Sequence, residues 1–514
     1  MEHSAPCGLR APHRHRSRKC ARHPRSHGAG RHRRRWPGFD SLRSHAAFDE
    51  LRARGTLRPM RSHFPTYTAP NITAMFTGQT PRDSGIKLNA GSYPPGPRDS
   101  ALRAAWDAGV YVQVRSRLLD DFQVLTHPPE QASVIGGRVA PIADLAWSQL
   151  GLEPTLPVGR SGTLTVIHFG EVDEVAHDHG VASAQYDDAV ERAARFVERF
   201  VDGARAGDEV FAVSDHGHVQ RGGHGGDEPV SSHAFFMAWG SNIRAGASLE
   251  ERPLCDVAST ITVALGAPTP STNLCAPMLD TFDLEPEARA VHALEPFDQL
   301  TRASCERDFT KGCDDIEPTR ALLSSGKPDE ALALLGRLEA EREAHATASE
   351  TRARRTRLAV GLTLSALLLT LGLRKEWRLE RVRVAASVLA CAIVPYVSVL
   401  LARGYRPTLS TMTGTRVFGP HAVQAALASL VIGWFVARRA RWGSKHALFS
   451  VLSTLALLVP WWAYCGASST EEPPATASAV VFLMSPLVPI GALAALGYLS
   501  FEWRRSRTAA GRAS

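Results

Sequence analysis

The chain has 514 residues, 44% of them apolar, and a formal net charge of +8. That length suits two or more domains, and the apolar fraction is ordinary for a globular protein. The positive excess is concentrated in the first residues and in short loops between apolar segments, so it reads as membrane topology and no nucleic-acid partner is expected.

Residues 1–36 crowd Arg, His, Pro and Gly without periodicity and read as a disordered or misassigned start. Residues 37–285 carry the chemistry. In the run PTYTAPN at 65–71, Pro70 suits the first turn of a helix, with Thr68 just before it and Ile72, Met75 and Phe76 facing inward. A hydroxyl at a helix N-terminus lies in a positive field that welcomes phosphate and stabilises an alkoxide. Thr68 is the expected nucleophile and Thr66 the runner-up.

The run 163–170 reads as a strand. Asp173 and His177 follow it at a spacing of four, which puts both on one helical turn facing a single ion. A helix is predicted over 182–202, with Tyr186, Val190, Ala193, Val197, Phe200 and Val201 on one stripe, as a crossover between two metal-binding strand ends. The apolar run 209–213 reads as a buried strand of a parallel sheet. Beyond it come SDHGH at 214–218 and GGHGGDEP at 222–229, which place Asp215, His216 and His224 within ten residues. In open α/β sheets, ligands bind at the carboxyl ends of strands, where these residues fall. Carboxylate oxygen with imidazole nitrogen suits zinc, and also manganese. His179, His218 and His233 read as loop or supporting residues. Singly, each motif also has a plain reading: a polar turn, an N-cap, a solvated helix face.

Residues 286–357 form a helical linker, with Ala331, Leu334, Leu335 and Leu338 at helical spacing in a hairpin or stalk. From 358 to 503 five apolar runs, at 358–373, 384–402, 418–437, 447–464 and 477–501, read as an all-α transmembrane domain of about five helices. A basic tail, 504–514, closes the chain. Basic residues follow the first, third and fifth runs, and the loop after the fourth carries Glu471 and Glu472, so the C-terminus is expected in the cytoplasm and the catalytic domain outside. Arg352, Arg354, Arg355 and Arg357, with Arg403, Arg406 and Arg416, weigh the other way. No apolar export signal stands at the N-terminus as written. The eight cysteines show no readable disulfide framework, although Cys305 and Cys313 could pair in an oxidising compartment.

Taken in order, these motifs resemble the alkaline phosphatase superfamily, within it the type I phosphodiesterase and nucleotide pyrophosphatase group, and most of all the GPI ethanolamine-phosphate transferases. PTYTAPN is similar to the group's nucleophile motif. The GGHGGDEP run and the segment 233–240 resemble the transferases, and DVASTI at 256–261 with LGAPTP at 265–270 echo the superfamily's closing segment. The resemblance spans roughly residues 45 to 282. It implies an α/β fold, a sheet sandwiched by helices, and a pair of divalent ions, zinc or else manganese. Asp173, His177 and His224 would hold one ion; Asp215, His216 and Thr68 would hold the other. Asn71 would donate to a phosphoryl oxygen. The group's second site also takes an Asp from a first strand, for which Asp40 is the nearest stand-in here.

The expected activity is two-step phosphoryl transfer from a phosphodiester or a lipid- or glycan-linked substrate, to water or to a glycan or lipid hydroxyl. Two alternatives stand: a catalytically impaired membrane protein that binds phosphorylated ligands or a partner, and a sulfatase-like hydrolase.

Overall fold

A computed structural model describes residues 48–86, 89, 99–116, 122, 125–126, 132–134, 162–226, 228–308 and 316–373, with isolated positions between 398 and 431. Among these described residues seven strands form two sheets: β1 (Thr56–Arg61), β2 (Val110–Ser116), β3 (Ala132–Val134), β4 (Gly162–Ile167), β5 (Glu209–Val213), β6 (His233–Gly240) and β7 (Arg252–Pro253). The first sheet has the order β5-β6-β1-β7 and the second β3-β2-β4. The helices are α1 (Asp49–Arg54), α2 (Thr68–Thr77), α3 (Pro81–Ser84), α4 (Ala101–Asp107), α5 (Glu171–His179), α6 (Ala184–Gly203), α7 (Pro229–Ser232), α8 (Asp256–Leu265), α9 (Pro286–Asp308), α10 (Glu317–Ser324) and α11 (Pro328–Leu373).

The sequence HAFFMAWG of β6 explains the layering. Successive side chains of a strand point to opposite faces. Ala234, Phe236 and Ala238 enter a core with Met60, Ile72, Phe76, Val112, Val114 and Ala258, and therefore face α2, β2 and α8. Phe235, Met237 and Trp239 enter another with Phe48, Leu51, Ala176, Tyr186 and Val190, from α1, α5 and α6. Burial on both faces favours an apolar strand without polar alternation, and β6 has that composition. The expected sheet between helical layers is present.

The environment of β5 differs from the sequence expectation. It pairs antiparallel with β6, Glu209 opposite Gly240 through Val213 opposite Phe236, and all five residues are only half-buried. Among the described residues its other edge has no partner strand, so an apolar run that suggested a central parallel strand lies at an edge. The second sheet is parallel throughout, with Val110 of β2 opposite Gly162 of β4, and in the first sheet only the short β7 pairs parallel, with β1. The strands β4 and β5, which lead into the two ligand loops, are thus in different sheets.

Helix α6 starts where Ser183 caps it by accepting the amide of Tyr186, two residues after the predicted start, and ends one residue past the predicted end. Its buried face is Tyr186, Ala189, Val190, Ala194 and Phe196, a stripe rotated slightly from the expected one. The linker region is helical, as its spacing suggested: Phe297 of α9 packs with Ile316 and with Leu335 of α11. The apolar run 358–373 forms the end of α11. Among the described residues no helix is long and apolar enough to cross a membrane. The run is preceded by Arg352, Arg354, Arg355 and Arg357, which bring charge into any longer window. The four later runs lie outside the described residues apart from isolated positions, as do residues 1–47 with Asp40, Cys313, and the side chain of Cys305.

Candidate metal and nucleophile site

Three loops build the site. The first joins β1 to α2. Thr68 is the first helical residue rather than the residue before the helix, and Tyr67 occupies the N-cap with no side-chain capping bond. The Thr68 hydroxyl is therefore spared from capping, and its Oγ1 lies 3.3 Å from His216 Nε2. Ile72, Met75 and Phe76 are buried as expected and fix the helix against the core.

Thr66 does a different job. Its Oγ1 donates to the carbonyl of Gly226 at 2.9 Å and accepts the amide of Gly225 at 2.8 Å, and the residue is fully buried. With both roles of its hydroxyl committed, the runner-up nucleophile is a staple between two loops. Asn71 likewise departs from the expected role. Its Oδ1 accepts the amide of His63 at 2.8 Å, and its Nδ2 donates to the carbonyls of His63, Pro65 and Tyr67. The carboxamide clamps the bend that leads into Thr68 and, being fully buried, does not present a donor to a phosphoryl group. An asparagine overlooked in the sequence also stands beside the nucleophile: Asn89 Oδ1 accepts the amide of Ala69 at 2.9 Å, at the N-terminus of α2. Its distance of 21 residues from Thr68 gave no local signal.

The second loop is the start of α5, which carries Asp173 and His177 one turn apart. Their side chains meet, with His177 Nε2 3.4 Å from Asp173 Oδ1. The third follows β5 and carries Asp215, His216, His218 and His224. His218 Nε2 lies 2.7 Å from Asp173 Oδ1 and His224 Nε2 lies 3.5 Å from it. His224 Nε2 is 3.0 Å from His177 Nε2, and the His216 and His224 rings stack with centroids 3.8 Å apart. Ligand atoms of Asp173, His216, His218 and His224 all fall within 4.8 Å of one another. Residues assigned from sequence to separate ions, Asp173, His177 and His224 on one side and His216 with Thr68 on the other, are gathered in one place. His218, read as a loop residue, is at its centre. Asp215 stands beside it, with Oδ2 3.3 Å from His216 Nε2. His233 and His179 lie outside the cluster; His233 Nε2 faces Glu251 at 4.0 Å.

Glycines let the third loop close. Gly222 has φ +85°, and a Cβ there would meet the carbonyl oxygen of Ala176 in α5 at 1.6 Å. Gly225 has φ +111° and a Cβ would enter the Tyr67 ring. Any larger residue at either position would push the loop off α5 or off Tyr67.

The electrostatics favour a cation. Burial keeps the imidazoles neutral: His216 is pushed down to about 3, and burial, reinforced by His216, holds His224 well below the usual histidine range. His177 is also lowered by burial. Against its own burial, the hydrogen bond from His218 and the neighbouring imidazoles hold Asp173 well below the usual carboxylate range. Burial, and then the charge of Asp173, push Asp215 up to about 6. Neutral imidazole nitrogens facing one another at 3.0 Å need a shared proton or a cation between them, and His177 Nδ1 is itself buried without a partner. This donor set fits a divalent ion. A second grouping of candidate ligands, Cys255, Asp256 and Cys275, does not, because the two cysteines form a disulfide.

Residues 35–94 and 92–229 match the profile of the type I phosphodiesterase/nucleotide pyrophosphatase family. Over these residues the chain is similar to this family of the alkaline phosphatase superfamily. The matched stretches include Thr68 and the whole Asp/His cluster, and the family is one of phosphodiesterases and pyrophosphatases. No curated protein matches the chain significantly. Among solved structures it is similar to murine ectonucleotide pyrophosphatase/phosphodiesterase 5, an inactive variant in complex with AMP, at 12% identity and a TM-score of 0.34 over 45% of this chain and 92% of that one. The human ectonucleotide pyrophosphatase/phosphodiesterase 5 matches over the same shares, at 12% identity and a TM-score of 0.33.

Proposed function

We propose that the protein is a membrane-anchored, metal-dependent enzyme that transfers the phosphoryl group of a phosphodiester through Thr68. The observation that carries this reading is the approach of the Thr68 hydroxyl to His216, at the edge of a cluster that also holds Asp173, His218 and His224. Asp173, His216, His218 and His224, with His177 beside them, would hold divalent metal; zinc suits this ligand set and manganese is the alternative. Bound there, the metal would lower the pKa of the attacking hydroxyl and offset charge on the phosphoryl oxygens.

The chain's own residues do the rest. The first turn of α2 puts the positive end of a helix dipole under Thr68 Oγ1, which favours the alkoxide and an incoming phosphate. Asn71 and Thr66 hold the bend so that the hydroxyl cannot swing away. Attack forms a bond from Thr68 Oγ1 to phosphorus and releases the alcohol of the diester; an acceptor hydroxyl then takes the phosphoryl group and restores the threonine. The acceptor is water in a hydrolase or a glycan or lipid hydroxyl in a transferase.

The apolar runs beyond residue 384 support a multi-pass anchor, and the charges of their loops support an external catalytic domain with a cytoplasmic C-terminus. The buried Cys255–Cys275 disulfide supports the same placement, since such bonds persist in oxidising compartments. The test is Thr68→Ala: turnover of a phosphodiester reporter should fall at least a thousandfold with metal content retained. Full turnover in Thr68→Ala would overturn the reading.

A further inference from the structure

Ser410 comes from a distant part of the chain, between the apolar runs 384–402 and 418–437, yet it is buried against the site loops. Its Oγ donates to Glu228 Oε2 at 2.7 Å, accepts the amide of Gly226 at 2.9 Å, and lies 3.1 Å from Ser231 Oγ. Those bonds use the one donor and two acceptor positions of a hydroxyl. Two of these partners, Gly226 and Ser231, continue into the metal cluster. The carbonyl of Gly226 accepts the Thr66 hydroxyl, and the Thr66 carbonyl lies 2.8 Å from His224 Nδ1. The carbonyl of Ser231 accepts the amide of Gly217 at 2.9 Å, and Gly217 stands between His216 and His218. One hydroxyl therefore reaches both ligand-bearing turns of the third loop, and at Gly226 a Cβ would meet Ser410 Oγ at 2.8 Å.

We propose that Ser410 is a positioning residue of the metal site, a clasp through which the segment between the second and third apolar runs sets the orientation of His216, His218 and His224. This rests on the reading of the cluster as a metal site.

Two measurements test the clasp in the full-length protein. Groups that orient metal ligands typically change affinity or activity by about 10–100-fold when removed. Ser410→Ala should weaken zinc binding within that range and lower kcat with little change in KM, and Ser410→Thr, which keeps the hydroxyl, should recover most of the loss. Independently of activity and of metal, the pair Ser231→Cys with Ser410→Cys should form a disulfide on mild oxidation, identified by peptide mapping. Absence of that cross-link in folded protein, or unchanged zinc affinity and rate in Ser410→Ala, would overturn the proposal. If the cross-link forms while Thr68→Ala keeps full turnover, the contact of Ser410 with the loop stands and the phosphoryl-transfer reading falls.

Discussion

Two buried polar centres in this protein handle charge in opposite ways. At the junction of β7, α8 and α11, Arg252 Nε donates to Asp256 Oδ2 at 2.5 Å and its Nη2 donates to Glu339 Oε1 at 2.6 Å, while nearby Arg58 pairs with Asp280. Although burial disfavours its charge, Asp256 and Glu339 hold Arg252 above the ordinary guanidinium range. Cations and anions there are paired within the protein. In the cluster beyond β4 and β5, Asp173 meets His177, His218 and His224, and burial keeps His216 and His224 neutral. The first centre is finished by folding, whereas the second gathers ligand atoms of one carboxylate and three histidines within 4.8 Å of one another, the arrangement of a site built to receive a cation.

The comparison breaks most visibly at Asp173. Asp173→Asn keeps the volume and removes the anion, so phosphodiesterase activity should fall by about a thousandfold or more, roughly 4 kcal/mol of transition-state stabilisation. Thermal stability without metal should fall as well, because the fold holds Asp173 ionised through the His218 hydrogen bond and that contribution is lost. Arg252→Ala should act on stability alone. Leaving Asp256 buried without its partner should cost about 3 kcal/mol in denaturant titrations, with turnover per folded molecule unchanged.

These two centres were not equally legible in the sequence. Asp173 with His177, and Asp215 with His216, announced themselves by spacing and by strand-end position, because a metal site needs several ligands and short loops repeat them locally. His218 was dismissed because nothing local distinguishes it from a solvated loop histidine, and only the fold brings its Nε2 to Asp173. Asn71 was misread for the same reason in reverse: its position in the motif was visible, but its three donations to the preceding bend were not. The pair Arg252 and Glu339 is 87 residues apart, and Ser410 is 184 residues from Gly226, so neither could be read from local pattern. Alternation of the β6 side chains was hidden because both faces are buried and both sets are apolar.

The Cys255–Cys275 disulfide sharpens the contrast at intermediate magnitude. It ties the start of α8 to a segment 20 residues on, beside the Ala74 wall of α2. Replacing both cysteines by Ser should cost about 3 kcal/mol of stability, as expected for a loop of that length, and leave zinc affinity within twofold.

The smallest expected effect concerns acid. His63 is pushed down to about 4 by burial and then by Arg61, and its Nε2 accepts the amide of Cys255 at 3.3 Å, which requires the neutral ring. An unfolded histidine takes up a proton near pH 6.5, so the stability due to neutral burial is complete above that pH and is lost progressively as pH falls toward about 4. Between pH 6.5 and 5.5 the loss should reach about 1 kcal/mol, seen as a falling Tm. In His63→Gln that slope should flatten; an unchanged slope would assign the loss to the metal-site imidazoles alone.

The most direct test is the metal content of purified full-length protein compared with Asp173→Asn, read by elemental analysis together with thermal unfolding. The account predicts at least one equivalent of zinc or manganese per chain in the parent, stabilisation of the parent on adding zinc, and neither in the variant. Active protein free of transition metal, or a variant that binds as the parent does, would contradict it.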